Sequence, residues 1–422
     1  MSPLDFLRTP PPAPSVLTGA AFAERVTVEP GDVVGVVMLE LGGPLQPDEV
    51  VPFLQSRLMD PVAVRMFVPR RLRPFAARRR AARLGKELSR AFEMIGGSSP
   101  LRRRVSEQAA ALQNRLQERY VGTTGATFRT YVAMRYGEPS MEAARRRMVE
   151  DGVNKVVLLP LQPHFSTSTA GTSLAYWDAH GPTKAPTALV REYAAHPKLV
   201  AAINERIDEG LQRFPRQVRD RVQILFAAHG ASRRDLSRLA DPYCCHVHAT
   251  VRAVMDARTD DRTSRVAFED VLGAGTTVGP RLRDAVADAA DDGAQALLVV
   301  PVSFLSERVD TIFDLDVTAR EKAAAEGVAH FEVTSGLHCH PLVIDALAEC
   351  VASHVELPAA GDGLAGAATP TLSLSVPAPR ADATCPVCDR TVAVGRWSPG
   401  HTPEAAPTPS ASVPPPGHRN AA

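Results

Sequence analysis

The stretch PVSFLSERVDTIFDLD, Pro301 to Asp316, places four carboxylates close behind a strand-like apolar run, ALLVV (296–300). They are Glu307, Asp310, Asp314 and Asp316; on a helix, positions 307, 310 and 314 lie along one side. Such a row can pass protons or hold a hard cation. The plainer role is a solvated helix face with acids near the positive end of the helix dipole. A second candidate is His229, which with Gly230 directly follows the apolar run VQILFAA (222–228). Glycine allows close backbone approach, and ligands of open α/β sheets sit beyond strand C-termini, so His229 is expected on a cleft floor. A histidine facing carboxylates suits proton abstraction, metal coordination, or both in sequence. Alone, such a histidine is more often a hydrogen-bonded structural residue.

Two further signals carry charge or thiols. Residues 57–90 hold ten arginines and one lysine against two acids, with Phe75, Leu84 and Leu88 among them. This is either the solvated face of a long helix or an amphipathic lip resting on anionic lipid. No nucleic-acid-binding motif accompanies the patch, so nucleic acid is not expected as a partner. Near the C-terminus, CPVCDRTVA (385–393) offers Cys385 and Cys388, which is half of a zinc or iron–sulphur site.

The elements that must position these residues follow from pattern. The chain has 422 residues, 45% hydrophobic, with a formal net charge of +1, enough for two ordinary domains or one double-lobed unit. The opening MSPLDFLRTPPPAPS places prolines where a secretion signal needs an apolar core, and no charge-free apolar stretch is long enough to span a bilayer. A cytoplasmic protein with its six cysteines reduced is the expectation. Residues 1–30 read as a disordered arm. From Leu357 onward, 12 prolines in 66 residues mark a disordered tail (357–422). Between them, VVGVVMLEL (33–41), TYVAMRY (130–136), KVVLLPL (155–161), VQILFAA (222–228), ALLVVPV (296–302) and HFEVT (330–334) read as strands. Helical stretches such as MEAARRRMVEDG and RLRDAVADAADDG separate several of them, the rhythm of a parallel α/β sheet with crossover helices. DGVNKVVLLP (151–160) and DGAQALLVVP (292–301) echo one another, suggesting two similar lobes, 31–190 and 191–356, facing across a cleft.

The blocks GVVMLELGGP, MIGGSSPL, LLPLQPHFSTSTAGTSL, ILFAAHG, DPYCCHVHATV and VVPVSFLSERVDTIFDLD, in this order, resemble the ferrochelatase family over about residues 33–355. The resemblance implies two Rossmann-like parallel-sheet lobes around a porphyrin cleft, with insertion of ferrous iron into a porphyrin to make haem. It implies that His229 takes pyrrole protons or meets the metal, and that Asp310 stands for a catalytic glutamate and second metal contact. Glu307, Asp314 and Asp316 then match an acidic row on a distorted helix leading to the cleft. Leu41 falls where coproporphyrin-using relatives often carry tyrosine, which points to protoporphyrin. Ser98, Ser166, Thr167, Ser168 and Phe304 fall in cleft-lining blocks, and Arg70 and Arg71 would hold propionates at a lip that meets the membrane.

The sequence departs from the family pattern at several places. The family's H-x-E-T reads Arg308-Val309-Asp310-Thr311 here, its W-Q-S-[KR]-x-G-P reads Phe268-Glu269-Asp270-Val271-Leu272-Gly273-Ala274, Thr277 replaces a second tryptophan, and Gln162 stands where tyrosine is usual. Two alternatives therefore stay open: a non-catalytic porphyrin- or haem-binding relative, and a chelatase for another metal or tetrapyrrole. Cluster-bearing members carry further cysteines where this chain has Ala393 and Thr167, which argues against a [2Fe–2S] cluster. No resident cofactor is expected, iron being a substrate. Nothing in the residues assigns an oligomeric state.

Overall fold

A computed structural model describes residues 12–180, 185–233, 236, 241–269 and 277–357. Two four-stranded parallel sheets organise it. In the N-terminal half the order is β3-β2-β4-β5, built from β2 (Val33–Glu40), β3 (Thr127–Met134), β4 (Lys155–Pro160) and β5 (Thr187–Leu189). In the C-terminal half it is β7-β6-β8-β9, built from β6 (Gln223–Ala228), β7 (Ser264–Phe268), β8 (Ala296–Pro301) and β9 (His330–Val333). Both parallel sheets are covered on two faces, which is why their central strands are apolar throughout yet still divide by period two. Val34, Val36 and Met38 of β2 enter one core while Val37 and Leu39 enter another; in β8, Leu298 and Val300 part from Leu297 and Val299 in the same way.

The helices follow the same logic. In chain order they are α1 (Pro14–Leu17), α2 (Val50–Met59), α3 (Arg73–Met94), α4 (Leu101–Thr124), α5 (Met141–Glu150), α6 (Thr172–His180), α7 (Pro197–Gln212), α8 (Arg216–Arg219), α9 (Tyr243–Ala257), α10 (Leu282–Asp291), α11 (Val309–Ile312), α12 (Ala319–Ala325) and α13 (Pro341–Ser353). Ser140 caps α5 through its hydroxyl, and Gly125 ends α4 in the left-handed conformation at φ 67°. Helices α4, α7, α9 and α13 share one core with the inner faces of both sheets, so the lobes are joined by packed helices rather than by a hinge alone. Helix α3 buries Ala77, Ala81, Leu84, Leu88, Ala91 and Phe92 against α2, the three-to-four spacing of one helix face, and leaves its arginine-rich face outward.

The sequence reading found six of the eight long-sheet strands and missed β5 and β7. β5 is only three residues long and β7 has a half-polar burial pattern, so neither carries a strong periodic signal. One expectation is corrected. Within the supposed disordered arm, residues 12–30 include α1 and a strand, β1 (Val26–Thr27), which pairs in parallel with β10 (Val355–Glu356) at the far end of the folded chain. Apolar Val26 and Val28 are fully buried there, a signal masked in sequence by the surrounding prolines. The tail from 358 onward, with Cys385 and Cys388, lies outside the described residues.

Candidate active site

β6 ends at Ala228, and His229 is the first residue past it. Its backbone is clamped from two sides: its N–H donates to Ser303 Oγ at 3.0 Å, and its carbonyl accepts from Tyr243 Oη at 2.8 Å. The two hydroxyls also bond each other at 2.8 Å. The imidazole meets the Phe304 ring edge-on, centroids 5.3 Å apart, and its Nδ1 lies 3.2 Å from Oε2 of the buried Glu269. Its Nε2 is buried and has no hydrogen-bond partner among the described residues.

His229, Glu269, Asp310, Phe313 and Asp314 enclose a cavity of about 80 Å³ with Arg57, Glu87, Leu88 and Ala91 of the lip helices α2 and α3. The expected facing of His229 and Asp310 is therefore present. The helix carrying the acids is distorted, as the resemblance implied: α11 passes into a π-helical turn, Phe313–Thr318, before α12. A wider π turn spreads side chains that a regular helix would stack.

Asp310 does not have the raised pKa expected of a carboxylate in an acidic row. Burial pushes it up, but Arg308, His229 and Arg57 outweigh burial and hold it below the usual carboxylate value. Arg308 forks onto both of its oxygens, Nε to Oδ1 at 3.1 Å and Nη2 to Oδ2 at 3.3 Å, and stands over the Phe304 ring at 5.5 Å. Arg308 is itself buried; its pKa is raised because Asp310, Glu40 and Glu269 outweigh the cost of burial.

The other expected site residues divide. Glu307 does not line the cavity: in the loop before α11 it pairs with Arg104 of α4 and His338 and accepts from Gly336 N–H. Asp316, inside the π turn, pairs with Arg320 on an exposed surface. Ser166, Thr167 and Ser168 do not reach the cavity. Asp241 accepts from Ser166 Oγ at 3.1 Å and Thr167 N–H at 2.6 Å, and Ser168 N–H bonds Ser166 Oγ at 3.3 Å, so this block caps a π turn, Thr167–Gly171. Leu41 is buried in the lip core beside Val309. Ser98, Arg70 and Arg71 are exposed on the lip and its following loop.

Several residues of the site went unassigned in the sequence. Arg57 is not part of the outer basic face but lines the cavity, and Arg73 is buried, donating to the carbonyls of Leu58, Asp60 and Val64. Glu40, the last residue of β2, accepts from Leu41 N–H at 2.8 Å and Gln162 Nε2 at 3.0 Å. Burial raises its pKa despite nearby Arg308. Gly42, at φ 79°, lets β2 end against the Tyr136 carbonyl, where any Cβ would collide. A carboxylate closing an otherwise apolar strand was the available signal for Glu40.

Among the described residues no three His, Cys, Asp or Glu side chains converge as a metal cage. The chain nevertheless matches a family model described as Ferrochelatase over residues 33–355. A ferrochelatase of Rippkaea orientalis is 34% identical over 332 residues, covering 78% of this chain and 84% of the relative. One of Gloeobacter violaceus is 35% identical, covering 75% and 96%. Among solved structures, SirB from Bacillus subtilis with Fe3+ aligns at a TM-score of 0.45 and 11% identity, covering 76% of this chain and 95% of that one. On the sequence matches, the chain belongs to the ferrochelatase family of metal-inserting enzymes.

Proposed function

We propose that this protein inserts ferrous iron into protoporphyrin, with His229 as the proton acceptor and Asp310 as the anionic contact for the incoming cation. The observation that supports it most directly is the buried, unpartnered Nε2 of His229 in the same cavity as a carboxylate held ionised. Insertion removes two pyrrole N–H protons and exchanges metal–water bonds for four metal–nitrogen bonds. A neutral imidazole nitrogen accepts the first proton, passes it on toward solvent, and then accepts the second. Asp310, its pKa depressed, stays charged and offsets the cation rather than carrying protons. Asp314 and the exposed Glu87 lead from the cavity to solvent and serve ion and proton exchange.

A macrocycle would lie where the cavity opens beside the lip helices α2 and α3, which supply Arg57, Glu87, Leu88 and Ala91 to its wall. Phe67, Leu72 and Phe75 stand 75%, 57% and 69% exposed at the lip, beside Arg70 and Arg71. No described helix is long and apolar enough to cross a membrane. A peripheral attachment through these rings and cations to an anionic surface would deliver an apolar substrate where the lip opens. Ferrous iron and porphyrin are substrates, and no iron–sulphur cluster is part of the proposal.

The test is purified protein with Fe²⁺ or Zn²⁺ and protoporphyrin or coproporphyrin, followed through the Soret band. Turnover with protoporphyrin and iron is the expected result. Tight porphyrin binding without turnover would instead select a non-catalytic relative, the outcome favoured by the grip of Arg308 on both Asp310 oxygens.

A further inference from the structure

Resting on that reading, we infer that Glu269 is a positioning residue for His229: its carboxylate holds the Nδ1 hydrogen, leaving the Nε2 lone pair turned into the cavity. A neutral imidazole carries one N–H, and which nitrogen bears it is set by the partner the ring finds. Glu269 Oε2 lies 3.2 Å from Nδ1, and an ionised carboxylate only accepts, so Nδ1 must donate. Nε2 has no competing partner among the described residues.

The carboxylate is placed firmly enough to do this. Glu269 follows β7 directly, and its N–H donates to the Ala228 carbonyl at 2.8 Å, extending the β6–β7 ladder to the residue beside His229. It is 3% exposed, so water competes little for its oxygens. Its negative charge is offset by Arg308, whose guanidinium faces Glu269 as well as Asp310 and Glu40. Among the described residues, the other charged groups lining the cavity with the histidine are Asp310 on α11, Asp314 on the π turn, and Arg57 and Glu87 on the lip. None of them hydrogen-bonds the imidazole. At this position the family pattern quoted above has Gln. An amide oxygen can accept the same hydrogen, but its N–H₂ can also present a donor to the ring and stabilise the opposite tautomer. A carboxylate removes that choice.

The experiment compares wild type with Glu269→Leu, Glu269→Gln and Glu269→Asp, using two readouts. ¹⁵N imidazole NMR at one fixed pH reports the tautomer, with the His229 signal assigned by its loss in His229→Gln. Steady-state kinetics with Zn²⁺ and protoporphyrin separate kcat from KM. Wild type should show a single Nδ1–H tautomer. Glu269→Leu should show a mixture, with kcat down roughly 10–100-fold, the usual loss when a histidine's second partner is removed, and KM for porphyrin unchanged. Glu269→Gln should recover most of the loss. Glu269→Asp, one methylene short, should not. If Glu269→Leu keeps both the single tautomer and the wild-type kcat, the inference is overturned. If wild type turns nothing over, the catalytic reading fails by itself, while the tautomer comparison still decides the role of Glu269.

Discussion

The two sheets of this protein have the same construction and different chemistry. Their strand orders match, and so do the hydrogen bonds that leave their ends. Leu161 N–H donates to Leu39 O at 2.9 Å in one, and Val302 N–H to Ala227 O at 3.0 Å in the other; Arg135 N–H donates to Glu40 O at 2.8 Å, and Glu269 N–H to Ala228 O at 2.8 Å. Counting from these bonds, Leu41 occupies the position of His229, Arg135 that of Glu269, and Gln162 that of Ser303. After the next strand, each half makes a π turn, Thr167–Gly171 in one and Phe313–Thr318 in the other. The N-terminal turn is uncharged and tied to Asp241; the C-terminal one carries Asp314 and Asp316. A repeated scaffold thus sets where side chains emerge, and single residues past the strand ends decide which half carries the candidate site.

The largest effect that tests this contrast comes from the paired positions themselves. His229→Ala should lower kcat by roughly 10²–10⁴, the usual worth of a positioned base, with little loss of thermal stability. Leu41→Ala should do the reverse: a loss of about 2–5 kcal/mol from a buried cavity, read by denaturant unfolding, with turnover largely kept. Near-normal turnover by folded His229→Ala would place the chemistry elsewhere and dissolve the contrast.

Arg308 and Asp310 come next, because they form a buried pair at the cavity, whose wall Asp310 lines. Removing either charge leaves the other buried without its forked partner, so Arg308→Met or Asp310→Asn should each cost up to about 3–5 kcal/mol, and the double variant less than the sum. For Asp310 the folded pKa lies below the reference value of 3.8, so its contribution is present above that pH and is lost as pH falls through the folded value. The penalty of Asp310→Asn should therefore be full at neutral pH and shrink below about pH 4. Additive single effects, measured by urea unfolding, would show that the two residues do not act as a pair. Asp310→Glu should retain insertion that Asp310→Asn loses.

Much of this contrast was readable from the chain, and the unreadable part has a physical cause. Strands β4 and β8 were found twice over, as apolar runs and as an internal echo, because burial on both faces leaves a continuous hydrophobic signal. His229 was found because a polar residue at the end of such a run stands out. Glu307 is misplaced by helical spacing because it lies in the loop before α11 rather than on the helix, where Arg104, His338 and the Gly336 N–H hold it. Arg57 and Arg73 disappeared into an arginine-rich segment, since composition cannot separate a buried guanidinium from its exposed neighbours. Glu269 lay between an apolar strand end and a departure from the family pattern, where only its distance to Nδ1 gives it a role.

Glu40 offers a smaller test, on the N-terminal side. Its folded pKa is raised above 4.5 by burial, so its ionised form weakens the fold at neutral pH and that cost disappears as pH falls below the reference value. Glu40→Gln should raise Tm modestly at pH 7, with the gain fading toward pH 4.5. A gain that persists unchanged at acid pH would mean that packing, not charge, produced it.

The smallest effect concerns the lip, an insertion after β2 with no counterpart among the described residues after β6. If its exposed face meets anionic lipid, each arginine near the surface contributes about 1 kcal/mol, so Arg70→Ser with Arg71→Ser should weaken vesicle binding roughly 30-fold at low ionic strength. Arg73 is excluded from this pair because it holds three backbone carbonyls and its loss would disturb the lip itself. Phe67→Ser with Phe75→Ser should weaken binding by a step that persists in salt, since apolar insertion is not screened. The electrostatic part should fall between 0.1 M and 1 M salt as the screening length shrinks from about 10 Å to about 3 Å. Flotation with phosphatidylserine vesicles and with neutral vesicles separates the two contributions. Equal binding to both vesicle types, insensitive to salt and to the Arg70 and Arg71 changes, would leave the arginines as a solvated helix face and confine the difference between the halves to the cavity.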